Sequence, residues 1–181
     1  MLIIFEGARN SGKTYLAGRA ADYNSLPLYK FEFVKWFNDL NLSDDSRESH
    51  LFALGKELQL LQANRDGVLQ SIILDRGFLT VLVWGVLSKR IIFEEAIDEL
   101  NQIISSGLLN NCKIYYIHGD NPNKSERNKD NWDFRDNTSD EKYLYEKFIK
   151  HLLETYPGPF EDFSIYTFEN KFNETSIITD L

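Results

Sequence analysis

The chain has 181 residues, with 20 Lys and Arg against 28 Asp and Glu, a net charge of -8. Hydrophobic residues at 43% and aromatics at 14% exclude a disordered chain, and the length suits one compact domain with a real core, here residues 1–181. The acidic balance excludes a general attraction to phosphate backbones or anionic membrane surfaces, no stretch reaches the ~20 apolar residues of a membrane span, and a lone cysteine, Cys112, excludes an internal disulfide.

The first element is a short apolar run, Leu2–Phe5. It has the length of a buried strand and falls well short of the apolar core of a signal peptide. It breaks into "GARNSGKT", which fits G-x-x-x-x-G-K-[ST], and a helical pattern follows over Gly12–Tyr23. Each residue type in that pattern has a physical reason. Gly7 and Gly12 allow a tight turn whose N–H groups point inward, with Asn10 and Ser11 between them, and the helix behind presents its positive end to the same anion. Lys13 is expected to reach the β- and γ-phosphates of a nucleoside triphosphate, and the Thr14 hydroxyl to ligate Mg²⁺. ATP and Mg²⁺ are therefore the expected cofactors.

A second strand is expected over Leu26–Phe31, followed by a helix over Glu32–Leu40 in "YKFEFVKWFNDL". Glu32 falls at the carboxyl end of that strand, where a carboxylate can orient or deprotonate an acceptor hydroxyl, and Trp36 one turn later can pack on a base or ribose. The same Glu32 can equally complement the helix dipole, and Trp36 can belong to the core. A long helix is expected over Arg47–Asp66, then a third strand over Ile72–Leu74 that delivers Asp75 and Arg76 at its end. In an open parallel sheet ligands sit beyond the carboxyl ends of the strands, so Asp75 faces the Lys13 loop as a Mg²⁺ carboxylate, and Arg76 can brace phosphoryl oxygens.

Helices are expected over Leu79–Leu87 and Phe93–Ser106, then a fourth strand over Ile114–Ile117. From Gly119 to Thr138, "GDNPNKSERNKDNWDFRDNT" is polar, without periodicity, and carries Lys124, Arg127, Lys129 and Arg135. A stretch that long inside a domain suits a mobile lid, with Arg127 and Arg135 the candidates to neutralise charge on a transferring phosphoryl group. A helix over Ser139–Tyr156 follows, with Ser139 as N-cap and Lys142 at N3, and Pro157-Gly158-Pro159 stops it. Ile165–Phe168 is the fifth strand. Short apolar runs alternating with helices predict an α/β fold: a five-stranded parallel sheet of the P-loop NTPase type, with helices on both faces and a lid segment.

In this order, the motifs "GARNSGKT", "FEFVKW", "LDRGFLTVLVWG", "NPNKSERNKDNWDFRD" and "EKYLYEKF" resemble the thymidylate kinase and deoxynucleoside kinase group of P-loop kinases over nearly the whole chain. The resemblance implies that Asp75 and Arg76 serve metal and phosphates and that the arginine-bearing lid spans Arg127 to Arg135. It also has departures. Where deoxynucleoside kinases carry Glu-Pro and a nearby Trp, this chain has Glu32-Phe33 with Trp36 one residue closer. Where thymidylate kinases place Arg before that Glu, it has Phe31, with Lys30 beside it.

The expected activity is transfer of the ATP γ-phosphoryl group to a nucleoside or nucleoside monophosphate, a deoxynucleotide above all. The alternatives are a kinase acting on a polynucleotide or a modified DNA base, and a nucleotide hydrolase without a small acceptor. His50, His118 and His151 show no metal-ligand spacing with Cys112, and a reducing, cytoplasmic setting is expected. The partner is a small nucleoside or nucleotide; any nucleic-acid contact is local, no membrane is involved, and monomer or homodimer stays open.

Overall fold

The computed structural model describes residues 1–43, 46–119, 138–156, 158 and 163–169. In chain order the elements are β1 (Leu2–Glu6), α1 (Lys13–Asn24), β2 (Leu28–Lys30), α2 (Phe33–Asp39), α3 (Arg47–Arg65), β3 (Ile72–Asp75), α4 (Phe78–Leu87), α5 (Phe93–Ser105), β4 (Cys112–His118), α6 (Thr138–Thr155) and β5 (Phe163–Glu169). The five strands form one parallel sheet in the order β2-β3-β1-β4-β5. This is the P-loop NTPase-type arrangement that the alternation of strands and helices predicts.

All five residues of β1 are buried, because the strand lies mid-sheet with both faces covered. Its side chains alternate between two cores. Leu2 and Ile4 join Leu74, Ile114 and residues of α3, α4, α5 and α6, whereas Ile3 and Phe5 join Ile73, Tyr115, Ile117 and the Leu16, Ala17, Ala20 and Ala21 face of α1. Order in the sheet reverses across β1, which places its carboxyl end, between those of β3 and β4, at the crevice where ligands of such sheets bind.

Two local expectations need correction. The second strand is shorter than Leu26–Phe31: Leu26 donates its N–H to Ala21 O and closes the end of α1, and Phe31 turns into the aromatic cluster of α2. An edge strand paired only with β3 has no reason to run past Asp75, opposite Lys30. Ser139 is not an N-cap, because α6 already begins at Thr138. The polar segment expected to form a lid, with Lys124, Arg127, Lys129 and Arg135, lies outside the described residues apart from its two ends. Among the described residues no helix is long and apolar enough to cross a membrane.

Candidate functional site

The site begins where β1 ends. Gly7 sits at φ 146°, and a Cβ there would lie 2.1 Å from Ile117 O on the neighbouring strand, so only glycine lets the chain leave the sheet at this point. The loop turns through Asn10 at φ 65°, closes with a Ser11 N–H to Ala8 O bond of 3.2 Å, and enters α1 through Gly12 in left-handed conformation. No side chain caps α1 and its first turn holds no acidic residue, so the helix N-terminus is left to an external anion.

Lys13 is only 3% exposed, and its Nζ donates to Ala8 O at 3.2 Å across the loop. Burial, then the Arg76 guanidinium, pulls its pKa from 10.5 to about 8, while Glu141, Asp75 and Glu6 pull it back up. Thr14 is exposed in the first turn of α1, and Asn10 is exposed at the loop tip.

The structure brings Asp75 and Arg76 to the same place. Asp75 ends β3 directly opposite Phe5 of β1, is 5% exposed, and leaves Oδ1 without a hydrogen-bond partner among the described residues. A buried carboxylate oxygen left this way costs free energy that a bound cation can recover. Arg76 takes φ 84°, a left-handed conformation unusual for a residue with a side chain, and its N–H still reaches Phe5 O at 3.0 Å. Gly7, Asn10, Ser11, Gly12, Lys13, Thr14, Asp75 and Arg76 therefore lie around one crevice.

Glu32 stands apart. It precedes α2 at the end of β2, is 59% exposed, and pairs with Lys35 at 3.6 Å. Trp36 packs edge-on against Phe31, Phe33 and Phe52, as a member of an aromatic cluster at the margin of the core. Arg127 and Arg135 are outside the described residues.

Sequence reasoning missed three residues of the site. Glu6, fully buried at the last position of β1, accepts from the amides of Leu79 (3.1 Å) and Thr80 (3.4 Å) and from the Thr80 hydroxyl (2.5 Å). Burial pushes its pKa up to about 7, against the Thr80 bonds and then Lys13 and Arg76. Arg9, on the loop itself, donates from Nε to the buried Glu141 of α6 at 3.1 Å, and its guanidinium lies 4.8 Å over the Trp84 ring. Beside the loop a cavity of about 280 Å³ is lined by Ala8, Arg9, Ser11, His118, Ser139 and Lys142. Glu6 sits before the glycine motif as an acid inside an apolar run, which is itself a detectable signal. Glu141 sits among other charged residues of α6, and nothing in its spacing sets it apart.

No protein-family model matches the chain, and no curated protein matches it. Solved structures are similar to it in fold. A thymidylate kinase from Ehrlichia chaffeensis superposes with a TM-score of 0.57 at 16% identity, covering 99% of this chain and 91% of that one. A deoxyadenosine kinase from M. mycoides, with the products dCMP and dCDP bound, gives a TM-score of 0.56 at 14% identity, covering 93% of this chain and 90% of that one. NadR protein in complex with NR gives 0.59 at 15% identity and covers 98% of this chain; the chain spans about half of NadR, 48%. At these identities the likeness shows the fold.

Proposed function

We propose that the chain is a Mg²⁺-dependent phosphotransferase that moves the ATP γ-phosphoryl group to a nucleoside or nucleoside monophosphate, a deoxynucleotide by preference, in the manner of thymidylate and deoxynucleoside kinases. One observation carries the reading. A nearly buried lysine stands at the uncapped N-terminus of α1, beside a buried carboxylate oxygen that has no partner among the described residues. That arrangement is costly for the protein alone and favourable around a polyphosphate and its metal. Two structures similar to it in fold, a thymidylate kinase and a deoxyadenosine kinase by name, support the same reading.

The residues fit Mg²⁺: Asp75 Oδ1 is a buried oxygen without a partner among the described residues, and Thr14 is an exposed hydroxyl residue in the first turn of α1. When bound, the ion supplies charge neutralisation across the phosphate oxygens. In this reading Lys13 and the loop amides, with Asn10 and Ser11, hold the triphosphate. Arg76 faces the developing charge, and Arg127 and Arg135 supply further guanidinium groups. A bond forms from the acceptor oxygen to the γ-phosphorus as the bond to the ADP oxygen breaks. For a hydroxyl acceptor the proton passes to Glu32; a monophosphate, largely ionised at neutral pH, has none to give.

The test is an ATP-consumption assay with Mg²⁺ against nucleosides, nucleoside monophosphates and a DNA oligomer. Turnover with one free nucleoside or monophosphate supports the proposal and identifies the acceptor. Turnover only with DNA, or equal turnover with no acceptor, overturns it.

A further inference from the structure

The carboxylate of Glu6 does for α4 what an N-cap side chain does, from another strand of the sheet. Helix α4 starts behind Gly77, which has no side chain to receive the amides of the first turn. Glu6 Oε1 receives two of them, from Leu79 and Thr80, while Oε2 takes the Thr80 hydroxyl. That hydroxyl is 2.7 Å from the Tyr145 hydroxyl of α6, which itself donates to Glu6 Oε2 at 3.4 Å. A Cβ at Gly77 would lie 2.6 Å from Ile4 Cγ2 and 3.0 Å from Glu6 Oε1, so the glycine is what permits this approach.

The consequence falls on Asp75 and Arg76, which lead through Gly77 into the helix. Arg76 holds a left-handed conformation between a ladder bond to Phe5 O on one side and the capped start of α4 on the other. Such a conformation persists only where its surroundings over-determine it. Glu6 is also the residue before Gly7, so one side chain joins the root of the phosphate loop to the turn that carries Asp75 and Arg76. Around it stand Lys13 from α1, Arg76, Thr80 from α4, Tyr145 from α6 and Glu57 from α3.

We propose that Glu6 is a positioning residue of the phosphoryl-transfer site: its carboxylate locks the Asp75–Arg76 turn in register with the phosphate loop. This rests on the phosphotransferase reading above. Oε1 can keep its two amide donors in either protonation state, but Oε2 accepts from the Thr80 and Tyr145 hydroxyls only when ionised; a proton there makes it a donor and leaves those two hydroxyls to rearrange. The burial that pushes Glu6 up to about 7 puts this change within the working range of pH.

The experiment compares the full chain with Glu6→Gln, Thr80→Val and Thr80→Ser, measuring kcat and KM with the acceptor found in the panel assay, from about pH 5.5 to about pH 9. Wild type is expected to lose kcat below about pH 7. Glu6→Gln is expected to lower kcat about tenfold or more at pH 8, to move the acceptor KM less than about threefold, and to lack the acid limb. Thr80→Ser, which keeps the hydroxyl, is expected to retain activity that Thr80→Val loses. A Glu6→Gln enzyme with wild-type kcat and the same acid limb overturns the proposal. If that variant does not fold, equal activity of the Thr80 pair overturns it. Should wild type turn over nothing, the phosphotransferase reading fails on its own, and Glu6 is then judged by binding of a fluorescent ATP analogue. Affinity at about pH 8 should weaken in Glu6→Gln and Thr80→Val but hold in Thr80→Ser; unchanged affinity in all three overturns the proposal.

Discussion

Replacing Lys13 by Met should stabilise the protein while it abolishes nucleotide binding. Lys13 has its pKa drawn from 10.5 down to about 8, with burial the first cause and Arg76 the second. Because the folded-state value is depressed, the contribution of Lys13 to stability is complete above 10.5 and is lost as pH falls through about 8. At about 1.4 kcal/mol for each pKa unit, the charged lysine costs the folded state about 3 kcal/mol at neutral pH. Methionine matches its length without the charge, but the bond to Ala8 O disappears, worth about 1 kcal/mol. The net gain is about 2 kcal/mol, or a rise in Tm of about 4–8 °C for a chain of this size. Thermal unfolding by circular dichroism at pH 7 without nucleotide measures it, and the gain should shrink as pH rises from about 8 and vanish above 10.5, where the wild-type lysine is neutral in both states. An unchanged or lower Tm at pH 7, or a gain of the same size at high pH, refutes the reasoning.

Asp75→Asn should lower phosphoryl transfer by about 100-fold or more and raise the Mg²⁺ concentration needed for half-maximal rate, read from a metal titration; an unaltered metal dependence removes Asp75 from the metal. For Glu32→Gln, turnover with a nucleoside should fall far more than ATP affinity, whereas small and equal effects would return this exposed residue to its ion pair with Lys35. Arg9→Ala leaves buried Glu141 without its cation, and a loss of about 3 kcal/mol in chemical unfolding is expected; the double variant Arg9→Ala, Glu141→Gln should recover much of it. Glu57, wholly buried with neither oxygen partnered among the described residues, has its pKa raised well above 4.5 by burial, with Glu6 adding to it. Its contribution is present at low pH and lost as pH rises through the raised value, so Glu57→Gln should flatten the alkaline decline of Tm; parallel profiles would contradict this.

The sequence determined by itself what depends on neighbours in the chain. The glycine spacing of residues 7–14, with an apolar run before it and a helix after it, requires only local backbone geometry, and it located the tight loop between β1 and α1. Strand-sized apolar runs alternating with helices were sufficient for the parallel sheet, because a strand buried on both faces has no polar alternation to confuse it. Asp75 and Arg76 were legible for the same reason, as the first polar residues after such a run. Edges were less legible: Leu26 looks like a strand residue but closes a helix, since apolar side chains serve both ends. Only the tertiary structure decided which charged groups meet. Arg9 and Glu141 are 132 residues apart, Glu6 and Thr80 are 74, and Tyr145 reaches Glu6 across 139. No periodicity or spacing encodes those pairs, because each is fixed by the order of the strands and the packing of α4 and α6 over them. The pKa shifts of Glu6, Lys13 and Glu57 arise only at that level, because burial is a property of the assembled core and not of the chain.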